Sequence, residues 1–159
     1  MKQALGLLLA QVFVSVAMAM PSVGDLAVFA GKLEGSAGGE IEFEQSLLIT
    51  EIADELVTLE VNITFDGQSQ SDVQVARKDE FLTTAVVEYV LAHCDVEGGT
   101  LETVQVAAGE FQACHVKSED GKNNVWIGNV PFGIVKQVSV DESENTITVE
   151  LKDYKFGAE

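Results

Sequence analysis

Both cysteines and both histidines of this 159-residue chain fall in one stretch, HCDVEGGTLETVQVAAGEFQACH, from His93 to His115. They are arranged almost as mirror images, His93-Cys94 at one end and Cys114-His115 at the other. Three chemistries use these residue types: a tetrahedral metal site, a redox-active thiol pair and a disulfide. Zinc sites draw on cysteines two to four residues apart, and neighbours on a strand point to opposite faces, so Cys114 and His115 do not face one ion together. A redox pair calls for Cys-x-x-Cys spacing, which the chain lacks. A disulfide between Cys94 and Cys114 is the expectation, since an even cysteine count in an exported chain favours one. Pairing across a turn at Ala108-Gly109-Glu110 sets Cys114 near the level of Thr103, within reach of a helix ending at Cys94. No metal ligand set, cofactor or catalytic residue is assigned, and His93 and His115 read as structural.

Other reactive patterns are fragmentary. Ser36 lies in Gly-Ser-Ala-Gly, without the Gly-x-Ser-x-Gly spacing of a nucleophile elbow. Asp141-x-Ser143-x-Asn145 starts like a calcium loop, but Thr146 and Lys152 occupy the positions of its glycine and its closing acid. Asn62-Ile63-Thr64 matches a glycosylation sequon inside the clearest strand pattern. An enzyme using a Cys/His site is the third-ranked reading, behind two non-enzymatic ones.

Residues 1–19 have the form of an export signal: Lys2, an apolar run from Ala4 to Val16, and Ala17-Met18-Ala19 before the cut. The run is short for a bilayer span, which needs about 20 apolar residues. No integral membrane anchor is expected after cleavage, and the mature chain is expected in the periplasm or secreted. Residues 20–159 form one domain, large enough to bury roughly two-thirds of its unfolded surface. The whole chain carries 9 Lys+Arg against 26 Asp+Glu, net −17, and loss of Lys2 makes the mature charge 8 − 26 = −18. Nucleic acid and anionic headgroups require cations to displace counterions, so neither is a partner.

Alternation with a period of two dominates the mature chain and marks half-buried strands. In Leu56–Phe65 it places Val57, Leu59, Val61, Ile63 and Phe65 on one face. Glu40–Phe43 runs on into Leu47-Leu48-Ile49, and Ile147, Val149 and Leu151 alternate with polar residues. Further strands fit 26–31, 72–76, 101–107, 111–117, 125–127 and 134–140. Asp66-Gly67, Asp120-Gly121 and Asp141–Asn145 supply turns. One segment changes period: over Asp79–Cys94 apolar residues recur every three or four positions, and Asp79 and Glu80 suit a helix N-terminus. The fold class is mainly β, a curved antiparallel sheet or partly open barrel packed on one α-helix.

TVQVAAGEFQACHV, VWIGNVPFGIVKQVSV and TITVELKDY together resemble a group of exported bacterial β-rich domains of unknown function. The matching positions are Ala108-Gly109-Glu110-Phe111, Trp126, Pro131-Phe132-Gly133, Val135-Lys136 and Leu151–Tyr154, with Gly24-Asp25-Leu26 at the front. These domains are similar in architecture to the periplasmic lipoprotein carriers, whose curved sheet wraps a helix and leaves an apolar concave face. This chain is shorter and offers one clear helix. The resemblance implies no catalytic residue.

The resulting expectation is an exported, non-enzymatic domain that binds an apolar ligand or an envelope protein. Its alternative is a structural or protein-interaction domain with a filled core. The face that would hold a ligand or fill the core comprises Val57, Leu59, Val61 and Ile63 on the sheet, Phe81, Ala85, Val86 and Tyr89 on the helix, and Trp126. N-terminal sequencing of the exported protein is expected to begin at Met20; a start at Met1 in a membrane pellet would contradict both the cleavage and the soluble domain.

Overall fold

The structure is a computed structural model and describes residues 21–82 and 84–158. The expected export signal, residues 1–19, lies outside the described residues.

Among the described residues, nine strands follow the alternating runs: β1 Leu26–Glu34, β2 Glu40–Ala53, β3 Leu56–Phe65, β4 Gln68–Arg77, β5 Thr100–Val106, β6 Gly109–Lys117, β7 Asn123–Ile127, β8 Ile134–Val140 and β9 Thr146–Lys155. They form one antiparallel sheet in the order β4-β3-β2-β1-β9-β8-β7-β6-β5. Two meanders, β1–β4 and β5–β9, are joined where the first strand pairs with the last. The link between them, residues 78–99, carries the helix α1, Thr84–Ala92. At the β3–β4 turn, Asp66 and Gly67 supply positive φ values of 49° and 71°, as a two-residue hairpin loop requires. The loop of Asp141–Asn145 is fastened by Asp141, which accepts from Ser143 N at 2.8 Å and from Asn145 N and Nδ2 at 2.9 Å. Asn145 is the main reason that the Asp141 carboxyl titrates below its ordinary value.

The sheet is open and curled. Register shifts leave Thr50, Val135 and Lys152 as extra residues at bulges in β2, β8 and β9, and bulges bend the strands that carry them. β5 packs on β8 and β9, which are not its neighbours in the sheet. Curling brings both meanders into one core, with Phe29, Val57, Val135 and Leu151 fully buried. Gly31 is required there by close approach: a Cβ would lie 2.1 Å from Phe43, whose ring crosses it.

Two expectations need correction. The helix does not start at Asp79. Lys78–Glu80 is a 3-10 turn, Phe81 is extended (φ −109°, ψ 148°), and α1 begins at Thr84. Asp79 and Glu80 therefore do not serve its N-terminus; Asp79 instead pairs with Arg77 through two contacts of 2.9 Å. The second correction is a register. Val106 pairs with Gly109, so the β5–β6 turn is Ala107-Ala108, and Cys114 lies opposite Leu101 and not Thr103.

Cys94 and Cys114 stand at disulfide distance, S–S 2.04 Å and Cα–Cα 5.6 Å, linking the segment after α1 to β6. Gly99 lies against the bridge: a Cβ there would come 2.6 Å from Cys114 Sγ and 2.8 Å from Cys94 Sγ. Gly99→Ala is therefore expected to displace the bridge. In urea titrations it should destabilise the oxidised protein by about 1–3 kcal/mol, and reduction of the wild type should cost about 3 kcal/mol for a loop of this length.

Candidate functional site

The curled sheet gathers an apolar interior. From β3 it takes Val57, Leu59 and Val61, all buried, with Ile63 half-buried beside them. Phe81 joins this cluster from the link, its ring centroid 6.4 Å from that of Phe132 in the β7–β8 loop. Two glutamines interrupt the interior. Gln45 on β2 sits between Phe29 on β1 and Ile63 on β3, and Gln137 on β8 sits between Val125 on β7 and Val149 on β9. They are 2 % and 5 % exposed. The amide oxygen of each, Oε1, is buried without a hydrogen-bond partner. An unpaired buried acceptor costs about 1–3 kcal/mol, so each of these oxygens stands out in an interior that is otherwise apolar. β2 and β8 are separated in the sheet by β1 and β9, so the two strands lie three strand spacings apart, about 15 Å along the sheet.

The expected helical face is only partly brought to this interior. α1 packs on β6 and β7, at the other end of the sheet from β3. Val87 is its buried residue, and Val86, Val90 and Leu91 flank it in a second cluster with Leu82 and Ile127. Ala85 is exposed; Tyr89 is 52 % exposed and stacks on His93 with centroids 4.3 Å apart. The meeting of Ala85, Val86 and Tyr89 with the β3 residues is thus overturned. The short helix begins late, and its C-terminal side is held at β6 through Cys94, so it covers the nearest strands and turns Val87 inward.

Trp126 lies half-buried at the border of the main core among polar groups. Its ring stacks on His115, centroids 4.0 Å apart at 10°. Its Nε1 donates to Glu102 Oε1. Lys136 Nζ stands 5.5 Å from the ring centroid. His115 Nε2 donates to Asn124 Oδ1 at 3.1 Å, and its Nδ1 lies 3.6 Å from Glu102 Oε1, beyond hydrogen-bond distance. Both cysteines are likewise held by one another. Every Cys and the half-buried His therefore has a structural partner.

Sequence reasoning missed Gln45, Gln137 and Glu102. The parity of Phe43, Leu47 and Ile49 points Gln45 inward once the strand is carried through to Ala53. Glu102 shares the face of Trp126 only when the β5–β6–β7 register is known.

Protein-family models and curated proteins give no match to this chain. Among solved structures it is similar to a protein with a YmcC-like fold from Bacteroides fragilis, at 13% identity and a TM-score of 0.49, over 87% of this chain and 99% of that one. It is also similar to MucB in the Pseudomonas aeruginosa MucA/MucB complex, at 16% identity and a TM-score of 0.47, over 94% of this chain and 55% of that one. A LolA superfamily protein from Nitrosomonas europaea aligns at 8% identity and a TM-score of 0.30, over 89% of this chain and 90% of that one. The chain thus spans about half of the MucB chain.

The second cluster yields a test of the helix placement. Val87→Ala is expected to destabilise by about 2 kcal/mol, since it empties a buried site, whereas Tyr89→Ala should stay within about 0.5 kcal/mol. Equal losses in chemical denaturation would place the wrong face of α1 against the sheet.

Proposed function

We propose that this chain is an exported, non-enzymatic binding domain. Its curled sheet holds an apolar molecule that carries hydrogen-bond donors, such as an acyl chain bearing hydroxyl, amide or ammonium groups. The observation that carries this reading is the pair of buried, unpartnered amide oxygens of Gln45 and Gln137 in an otherwise apolar interior. Ligand sites are mostly apolar surfaces with a few placed polar groups that fix orientation, and this interior has that composition. A charge of −17 favours neutral or cationic donors over a carboxylate headgroup. Non-enzymatic action agrees with the engagement of His115, Cys94 and Cys114 in structural contacts.

A glutamine retained only as a packing fault behaves differently from one that pairs with a ligand. Gln137→Leu removes the unpaired oxygen at similar volume. In the ligand-free protein it is expected to leave stability unchanged or raise it by about 1 kcal/mol. A fluorescent long-chain monoacylglycerol should bind the wild-type protein saturably, and Gln137→Leu should weaken that binding by about tenfold, one lost hydrogen bond's worth. Absence of saturable binding, or equal affinity for wild type and variant, refutes the proposal. Native mass spectrometry of the exported protein, with a co-purifying mass that Gln45→Leu reduces, tests the same interior without choosing a probe.

A further inference from the structure

β4 is one edge of the sheet, and among the described residues it pairs only with β3. Long exposed edges are ordinarily blunted by charge, proline, bulges or shortness, because their free N–H and C=O groups template pairing with another strand. β4 is ten residues, has no register shift against β3, and is exposed at every position except Ala76. Val73 is 64 % and Val75 61 % exposed, on the same face of the strand. Its charges are Asp72 and Arg77 alone, so the strand is neutral within a chain of net charge −17.

We propose that β4 pairs antiparallel with β4 of a second copy of this chain, about a two-fold axis at Gln74. This goes beyond the ligand reading and does not rest on it. Residues directly opposite in an antiparallel pair have side chains on one face. Centring on Gln74 sets Val73 opposite Val75 of the second copy and the reverse, giving a four-valine cluster beside the axis. Asp72 then faces Ala76, and Ser71 faces Arg77. The register centred on Asp72 would instead oppose two carboxylates, which is destabilising. Charge selects the occupant. A basic segment would find little acid on β4 to pair with, whereas a neutral strand fits its own copy. The pairing is of modest area, so it gives a concentration-dependent dimer and not an obligate one.

Ionic strength separates the two kinds of partner. Two strongly acidic copies repel at long range, so added salt should strengthen their association, while a basic partner would be weakened. Sedimentation equilibrium of the mature protein should show a dimer whose fraction rises with protein concentration and with salt. Val75→Lys should raise the dissociation constant about tenfold or more, as charges on edge strands do, with the melting temperature unchanged. Gln74→Cys should give a disulfide-linked dimer under oxidising conditions, because facing residues on paired strands lie within bridging distance. Glu119→Cys, on an exposed turn remote from β4, should not. A monomer at all concentrations, a dimer that salt weakens, or cross-linking of Gln74→Cys no faster than of Glu119→Cys overturns the proposal. So does a monomer that captures an extended basic peptide on β4.

Discussion

The pairing of β1 with β9 turns two meanders into one sheet. Each meander forms from neighbouring hairpins, but neither buries both sides of its apolar face alone. Joined, they place Phe29 opposite Leu151 and Gly31 opposite Val149, and the shared core closes around these rows. The seam is reinforced at its open end. The buried carboxylate of Asp25 accepts from Ser22 N at 2.8 Å and from Gly157 N at 2.7 Å, tying the segment before β1 to the segment after β9. The contact joins residues more than a hundred positions apart, so its loop-closure entropy is met late, after the hairpins exist.

The link between the meanders solves a different problem. Residues 78–99 must travel from the β4 edge to the β5 edge, and they cover the sheet near β6 and β7 on the way. α1 is nine residues and rich in valine, too short and too β-branched to be stable by propensity. Its order comes from burial of Val87 beside Leu82 and Ile127 and from the bridge just beyond its end. The disulfide therefore acts on a part of the fold that the strand ladder does not hold.

The strands were readable because one face is buried and the other wet, which writes the fold into the sequence at period two. Leu56–Phe65 has the same limits in both readings. The helix was less readable because a 3-10 turn, an extended Phe81 and a short helix in succession imitate one longer apolar periodicity. The Cys94–Cys114 pairing was legible from the even cysteine count and the expected export, but its level on β5 was not. Ala107-Ala108 turns without the residues that normally announce a turn, so Gly109 drew the expected loop toward itself. Gln45 and Gln137 escaped notice for a related reason. A polar residue at an inward position is invisible to alternation until the strand around it is known.

The distribution of the few cations explains how so acidic a chain keeps a curled ladder of acidic strands together. Lys136 reaches Glu150 at 2.6 Å, Lys152 reaches Glu44 at 2.5 Å, and Lys32 stands 2.8 Å from Glu40 and 3.3 Å from Glu34. These lysines lie on β1, β8 and β9, the seam and its neighbour, and Lys32 stands between Glu34 and Glu40, which face one another across β1 and β2. Exposed pairs contribute at most about 1 kcal/mol each, so their importance lies in relieving cross-strand repulsion. At β4 repulsion is avoided by near-absence of charge. Many of the remaining acids sit in turns and the link, such as Asp54-Glu55, Glu119-Asp120 and Glu142, on separate parts of the surface. Separations beyond a Debye length of about 8–10 Å are largely screened at physiological salt. The acidity therefore acts on what approaches the protein far more than on the sheet itself.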